Sequence, residues 1–241
     1  MNTNYTANET THDSAVNLAQ DINELATLFE GVQLSSSVEL FLLLSALSFI
    51  PFFMIAVTTF TRNIVVLSFL RHALGLQQSP PNIILITLAL FLSIFTMSPI
   101  FSNSYNAGLK PYLEKQVDIG TGVAASWQPI KQFLITQTHE SDIKLVYKLA
   151  KVDLPSNSAA VEPSYLIPAF MLSELKIAFK IGFIIFLPFL MIDIVIAAIL
   201  MSLGMIMVPP ITISLPIKIM LFVVVDGWAL ISETLIRSVG T

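Results

Sequence analysis

The chain has 241 residues, 55% of them hydrophobic and 12% charged, with a net charge of −4 and a mean hydropathy of +0.79. Soluble domains carry about 25% charged residues, so composition places the chain among membrane proteins, and its negative balance offers no field for nucleic acid. The lack of cysteine excludes disulfides, thiol catalysis and zinc thiolates, and His12, His72 and His139 stand in no metal-ligand spacing.

Residues 1–39 hold six acidic residues and no Lys or Arg. They read as a polar tail, with a weak helical pattern through Val16, Leu18, Ile22, Leu25 and Leu28. No basic segment precedes the first apolar run at Leu40, so either a signal is missing or that run serves as the targeting element. Leu40–Val57 is uncharged, with Pro51 as a kink. A short connector follows with Arg62, Arg71 and His72. Pro80-Pro81-Asn82 then leads into a second uncharged run, Ile83–Phe101, so that residues 40–101 form one hydrophobic hairpin.

Residues 102–165 carry six Lys and six acidic residues. Helical spacing from Pro129 to about Val152 makes this stretch a small polar helical domain, with Pro129 in a first helical turn. The chain turns apolar again over 166–241, a second hairpin. Ile177–Met207 contains only two charges, Lys180 and Asp193, and exceeds the roughly 20 residues a bilayer core requires. Pro188 is expected to bend it. Pro209-Pro210 ends it, and Ile211–Ile231, with Lys218 and Asp226, is the fourth apolar segment. The fold class is therefore all-α: four hydrophobic segments in proline-bent hairpins, with a polar helical domain between the second and third. Positive-inside reasoning places Arg62 and Arg71 in the cytoplasm and leaves the middle-domain lysines and Arg237 outside. That poor bias suggests that the segments do not all face lipid.

Ions in hydrocarbon need partners. Glu174 and Lys218 are expected to make a charge pair between helices or subunits. Asp193 and Asp226 are expected to be buried, Asp193 in a helix contact or a proton relay. An aspartyl protease dyad of Asp193 and Asp226 would need a Tyr-Asp or Gly-x-Gly-Asp context, which neither has. Met205 and Met207 flank Ile206 in a turn shaped by Gly204, Pro209 and Pro210. Two readings stand: ordinary core or lipid-facing methionines, or a deformable apolar constriction around a pore. There is no P-loop, GxSxG or HExxH motif, so no enzyme and no cofactor is expected. The rival to a pore is a secondary transporter with a midplane coupling site at Asp193 and Lys218.

Phe60-Thr61-Arg62, Val66-Leu67-Ser68, Arg71, Ala73-Leu74-Gly75, Gln77-Gln78 and Pro80-Pro81-Asn82 resemble the first hairpin of the FliP family. These are the P components of flagellar type III export gates, related to the SctR proteins of injectisomes. Ser173-Glu174-Leu175-Lys176, Ile181-Gly182-Phe183, Pro188-Phe189-Leu190 with Asp193, Leu203-Gly204-Met205, Met207-Val208-Pro209-Pro210, Leu215-Pro216 with Lys218, and Val225-Asp226-Gly227-Trp228 continue the likeness. It covers residue 38 to the end, and the long middle domain and polar tail favour the flagellar branch. The resemblance implies a non-enzymatic pore subunit in five copies, assembled as a ring with the Q and R components and other export-apparatus proteins. Unfolded flagellar substrates would cross it at the basal body in the bacterial inner membrane, largely towards the periplasmic side. It also implies that Met205, Ile206 and Met207 form the pore gasket, with Ile206 replacing the usual central Met, and that Glu174 and Lys218 join neighbouring subunits.

Overall fold

The computed structural model describes residues 41, 44, 45, 48–155, 157, 160–205 and 207–240. The acidic tail, most of the first apolar run before residue 48, and Ile206 lie outside the described residues. Among those described, the helices are α1 (Ile50–Val57), α2 (Phe60–Ala73), α3 (Asn82–Ser104), α4 (Lys110–Leu113), α5 (Ile119–Gln137), α6 (Glu140–Ala150), α7 (Pro163–Ser202), α8 (Ile211–Val224) and α9 (Gly227–Arg237). A π-turn, Tyr105–Leu109, joins α3 to α4. The described residues contain no strand, as the all-α expectation requires.

Among the described residues, two helices are long and apolar enough to cross a membrane, Asn82–Leu113 and Pro163–Ser202. The number rises to four if Pro51–Val57 with Phe60–Ala73, and Ile211–Val224 with Gly227–Arg237, each make one broken span. At 1.5 Å per residue, α7 extends about 60 Å. It runs without interruption through Pro168 and Pro188; the proline ring removes a hydrogen bond there, but surrounding helical turns carry the chain across.

The described residues divide into two compact units, neither contiguous in sequence: those up to residue 57 with those of 97–173, and those of 58–96 with those of 174–240. In the first, α5 begins ten residues before Pro129. Asp118 caps it, accepting from the Thr121 N–H at 3.1 Å and the Thr121 hydroxyl at 2.5 Å. Pro129 is therefore inside α5, and the expected single pattern from 129 to 152 is two helices broken at Thr138-His139. Gly108 and Gly122 permit the π-turn to touch α5: a Cβ on Gly108 would sit 2.0 Å from the Gly122 carbonyl oxygen. The Ser104 hydroxyl donates to the Ser126 carbonyl at 2.6 Å beside them. Phe133 meets Phe170 edge-on at 5.9 Å, and Tyr147 lies 4.7 Å from Tyr165. Burial raises the Tyr147 phenol above its ordinary range, although its oxygen accepts from the Glu162 N–H at 3.2 Å.

Asp142 is buried in the first turn of α6, where a carboxylate suits the helix dipole. It accepts from the Ser173 hydroxyl at 2.7 Å, and Ser173 in turn accepts from the His139 backbone N–H at 3.0 Å. Asp, His and Ser meet here without forming a catalytic triad, because the histidine contributes its main chain and its side chain is exposed.

The second unit has an apolar core of its own. The segment with Arg62, Arg71 and His72, expected as a connector, is the helix α2, and Arg62, Val66, Leu67, Leu70 and Ala73 share its buried face. That face packs with Leu85 and Ala89 of α3, Ala178 and Phe189 of α7, Phe222 of α8, and Ile231 and Leu235 of α9. Gly182 lies against Phe69, whose ring would stand 2.7 Å from an added Cβ. Helix α2 closes in a Schellman turn: Gly75, at φ +78°, donates to the His72 carbonyl and Leu76 to the Arg71 carbonyl. Helices α8 and α9 meet at 65°, with Asp226 left-handed between them at φ +51°.

Candidate functional site

Two ion pairs sit inside the second unit, and each draws on residues distant in sequence. Arg62 and Glu174 are fully buried. The guanidinium grips the carboxylate in a fork, Nε donating to Oε2 at 2.9 Å and Nη2 to Oε1. The remaining arm, Nη1, donates to the Ser238 carbonyl at 2.6 Å and to its hydroxyl oxygen at 3.0 Å. That hydroxyl itself donates to the Leu235 carbonyl at 2.7 Å. One arginine thus ties α2, α7 and the residue after α9.

Lys218 is 97% buried. Its ammonium donates to Asp193 Oδ2 at 2.6 Å and to the Ala73 carbonyl at 3.1 Å. Ala73 ends α2, and the Schellman turn uses the carbonyls of Arg71 and His72. Lys218 therefore supplies, from α8, a donor and a positive charge at the negative end of α2.

These partners correct the expected pairing. Glu174 and Lys218 are not joined within the chain: Glu174 is taken by Arg62 and Lys218 by Asp193. A fork-shaped guanidinium matches a buried carboxylate better than a point ammonium. The expected burial of two aspartates is also corrected. Asp226 is exposed because it occupies the bend between α8 and α9. The side chain of Asp193 retains 37% of its exposure while its Oδ2 accepts from Lys218. Arg62 is the residue that sequence reasoning missed. Its signal was local: Val66 and Leu70, four and eight positions on, put it on an apolar helical face.

The end of α7 has the opposite character. Gly204, at φ +74°, donates to the Met201 carbonyl at 3.0 Å, and Met205 to the Leu200 carbonyl at 2.9 Å, a second Schellman turn. A Cβ on Gly204 would meet nothing within 4 Å. Met205 is 41% exposed, Leu203 67% and Met207 96%. Ile206 lies outside the described residues. Pro209 and Pro210 precede α8; Pro209 accepts from the Thr212 hydroxyl at 2.7 Å, and Pro210 from the Ser214 N–H at 3.0 Å. The loop is an apolar projection held by its ends. No group of three or more His, Cys, Asp or Glu that could hold a metal occurs among the described residues.

Fold and site define an all-helical protein of membrane type, with apolar helices braced by internal ion pairs and a thioether-rich loop between its last two hydrophobic segments. The FliP family model matches residues 43–235. A flagellar biosynthetic protein FliP of Caulobacter vibrioides is 48% identical over 201 residues, 83% of this chain and 76% of the relative. That of Bacillus subtilis is 44% identical over 220 residues, 90% of this chain and all of the relative. That of Borreliella burgdorferi is 43% identical over 211 residues, 86% and 83% of the two chains. The chain belongs to the FliP family.

Proposed function

We propose that this chain is a structural and gating subunit of the flagellar type III protein export channel, through which unfolded flagellar substrates cross the bacterial inner membrane. Five copies form a ring with the Q and R components at the basal body, largely towards the periplasmic side. Residues 102–165 serve as the periplasmic domain. The subunit carries out no covalent chemistry and holds no cofactor; energy comes from other parts of the apparatus.

The observation that carries this reading is the loop after α7, in a chain of the FliP family. Met205 and Met207 project from the end of a 40-residue apolar helix, and Gly204 gives the backbone the left-handed turn the projection needs. Repeated around a ring, with Ile206, such side chains make an apolar gasket that excludes ions by dewetting and deforms around a polypeptide. Exposed apolar side chains on α3 (Phe91, Phe95) and α7 (Phe183, Ile184, Met191) require cover by lipid or by other subunits. Glu174 and Lys218, each in its own pair, hold the subunit in the shape that closes the ring.

The test is permeability. Replacing Met205 and Met207 by Ala is expected to make resting membranes leak small solutes without abolishing assembly; unchanged permeability would remove the gasket. A second reading, a secondary transporter, is favoured by the contact between Asp193 and Lys218. It requires ion-driven solute flux from the reconstituted chain alone, and Asp193→Asn would abolish that flux. The second bond of Lys218, to Ala73, favours a brace over a site that must release its charge in each cycle.

A further inference from the structure

We infer that Met205 and Met207 are a paired oxidation site, through which a peroxide converts the gasket from closed to leaking; the consequence for leakage rests on the gasket reading above. Thioether oxidation needs direct access of the oxidant to sulfur, so exposure ranks the candidates. Met97 has no exposed surface, while Met207 is 96% exposed. Met191, Met201 and Met220 are also open in the single chain, at 59%, 67% and 63%, but they stand on α7 and α8. Met191 and Met220 lie among apolar side chains in mid-helix, on surfaces that lipid or other subunits must cover. Met205 and Met207 stand off the helices, beside a glycine whose missing side chain would find no neighbour within 4 Å. A pore lining must face the conduit, so assembly that covers the helices leaves these sulfurs open to the conduit, which hydrogen peroxide, small and uncharged, can enter.

The reaction is an oxygen-atom transfer. A lone pair on sulfur displaces water from hydrogen peroxide, giving one sulfoxide and one water for each peroxide consumed. Sulfur is oxidised by two electrons and the peroxide reduced by two. The product is a polar hydrogen-bond acceptor where an apolar group stood, which hydrates the constriction and undoes dewetting. Methionine sulfoxide reductases reverse it. Ile206 carries no sulfur, so each subunit presents only two oxidisable side chains in the gasket.

The experiment treats membranes containing the assembled export complex with graded hydrogen peroxide. Sulfoxide at each methionine is read by peptide mass spectrometry, and leakage by a small fluorescent dye. The expected result is sulfoxide at Met205 and Met207 at doses that leave Met97, Met191 and Met220 reduced. Leakage should rise with it and fall back after treatment with the two sulfoxide reductases. A Met205→Leu, Met207→Leu variant should stay sealed and insensitive to peroxide. Met205 and Met207 remaining as reduced as Met97 would overturn the site, whatever the gasket does. Sulfoxide without leakage, where the Met205→Ala, Met207→Ala protein does leak, would overturn the switch and keep the gasket. Sulfoxide without leakage, where the alanine protein is also sealed, would overturn both.

Discussion

The two buried cations solve the same problem differently. Arg62 is enclosed completely and spends its three arms on a carboxylate and the Ser238 carbonyl and hydroxyl. Lys218 is nearly as enclosed, but its carboxylate partner remains part-exposed, and its second bond goes to a helix end. The first is a closed lock in which neither ion has access to water. The second is a cap with a counter-ion at its rim. Breaking one member of a closed pair strands a charge, whereas a pair at a rim can recruit water.

That difference sets the order of expected effects. Arg62→Met or Glu174→Gln should each cost about 3–5 kcal/mol, the penalty of an uncompensated buried partner, read by thermal melting of the detergent-purified protein. Arg62→Met combined with Glu174→Met should recover much of that loss, because apolar groups of similar size need no partner. A double variant as weak as the singles would show that the Ser238 bonds matter more than the ion pair. Next in size is Lys218→Met, which removes both the counter-ion contact and the α2 cap. It should exceed Asp193→Asn, expected at about 1.5–3 kcal/mol for a hydrogen bond to a charged group. Equal losses would mean that the Ala73 bond contributes nothing and that the two pairs differ less than their geometry implies.

Ser238→Ala is expected to cost about 0.5–1.5 kcal/mol, since the Ser238 carbonyl still accepts from Arg62. A larger loss would extend the lock to the chain's end. Lys144→Ala breaks only a solvent-exposed pair with Glu140 in α6. It should leave melting unchanged, and so supplies the baseline against which the buried pairs are measured.

Legibility followed the range of the interactions. The second and third apolar runs are legible in the sequence, and the described residues place them in long helices, Asn82–Leu113 and Pro163–Ser202. Gly204 and Pro209-Pro210 were readable as punctuation because left-handed turns and helix stops depend on a few adjacent residues. Pro129 misled, because a proline suits a first turn yet is also tolerated within α5, and Asp118 with Thr121 marked the real start. The Arg62 segment read as a connector because a short stretch between apolar runs, with three basic or titratable side chains, resembles a loop until its helical face is aligned.

Sequence alone determined the class: a helical protein of membrane type, poor in charge, belonging to the FliP family, with a methionine-bearing turn before a double proline. These properties are sums over local residues and need no folded partner. Only the tertiary structure decided which charges meet. Arg62 finds Glu174 across 112 positions and Lys218 finds Asp193 across 25. Such choices depend on which helical faces pack together and on the shape of the cation each face presents.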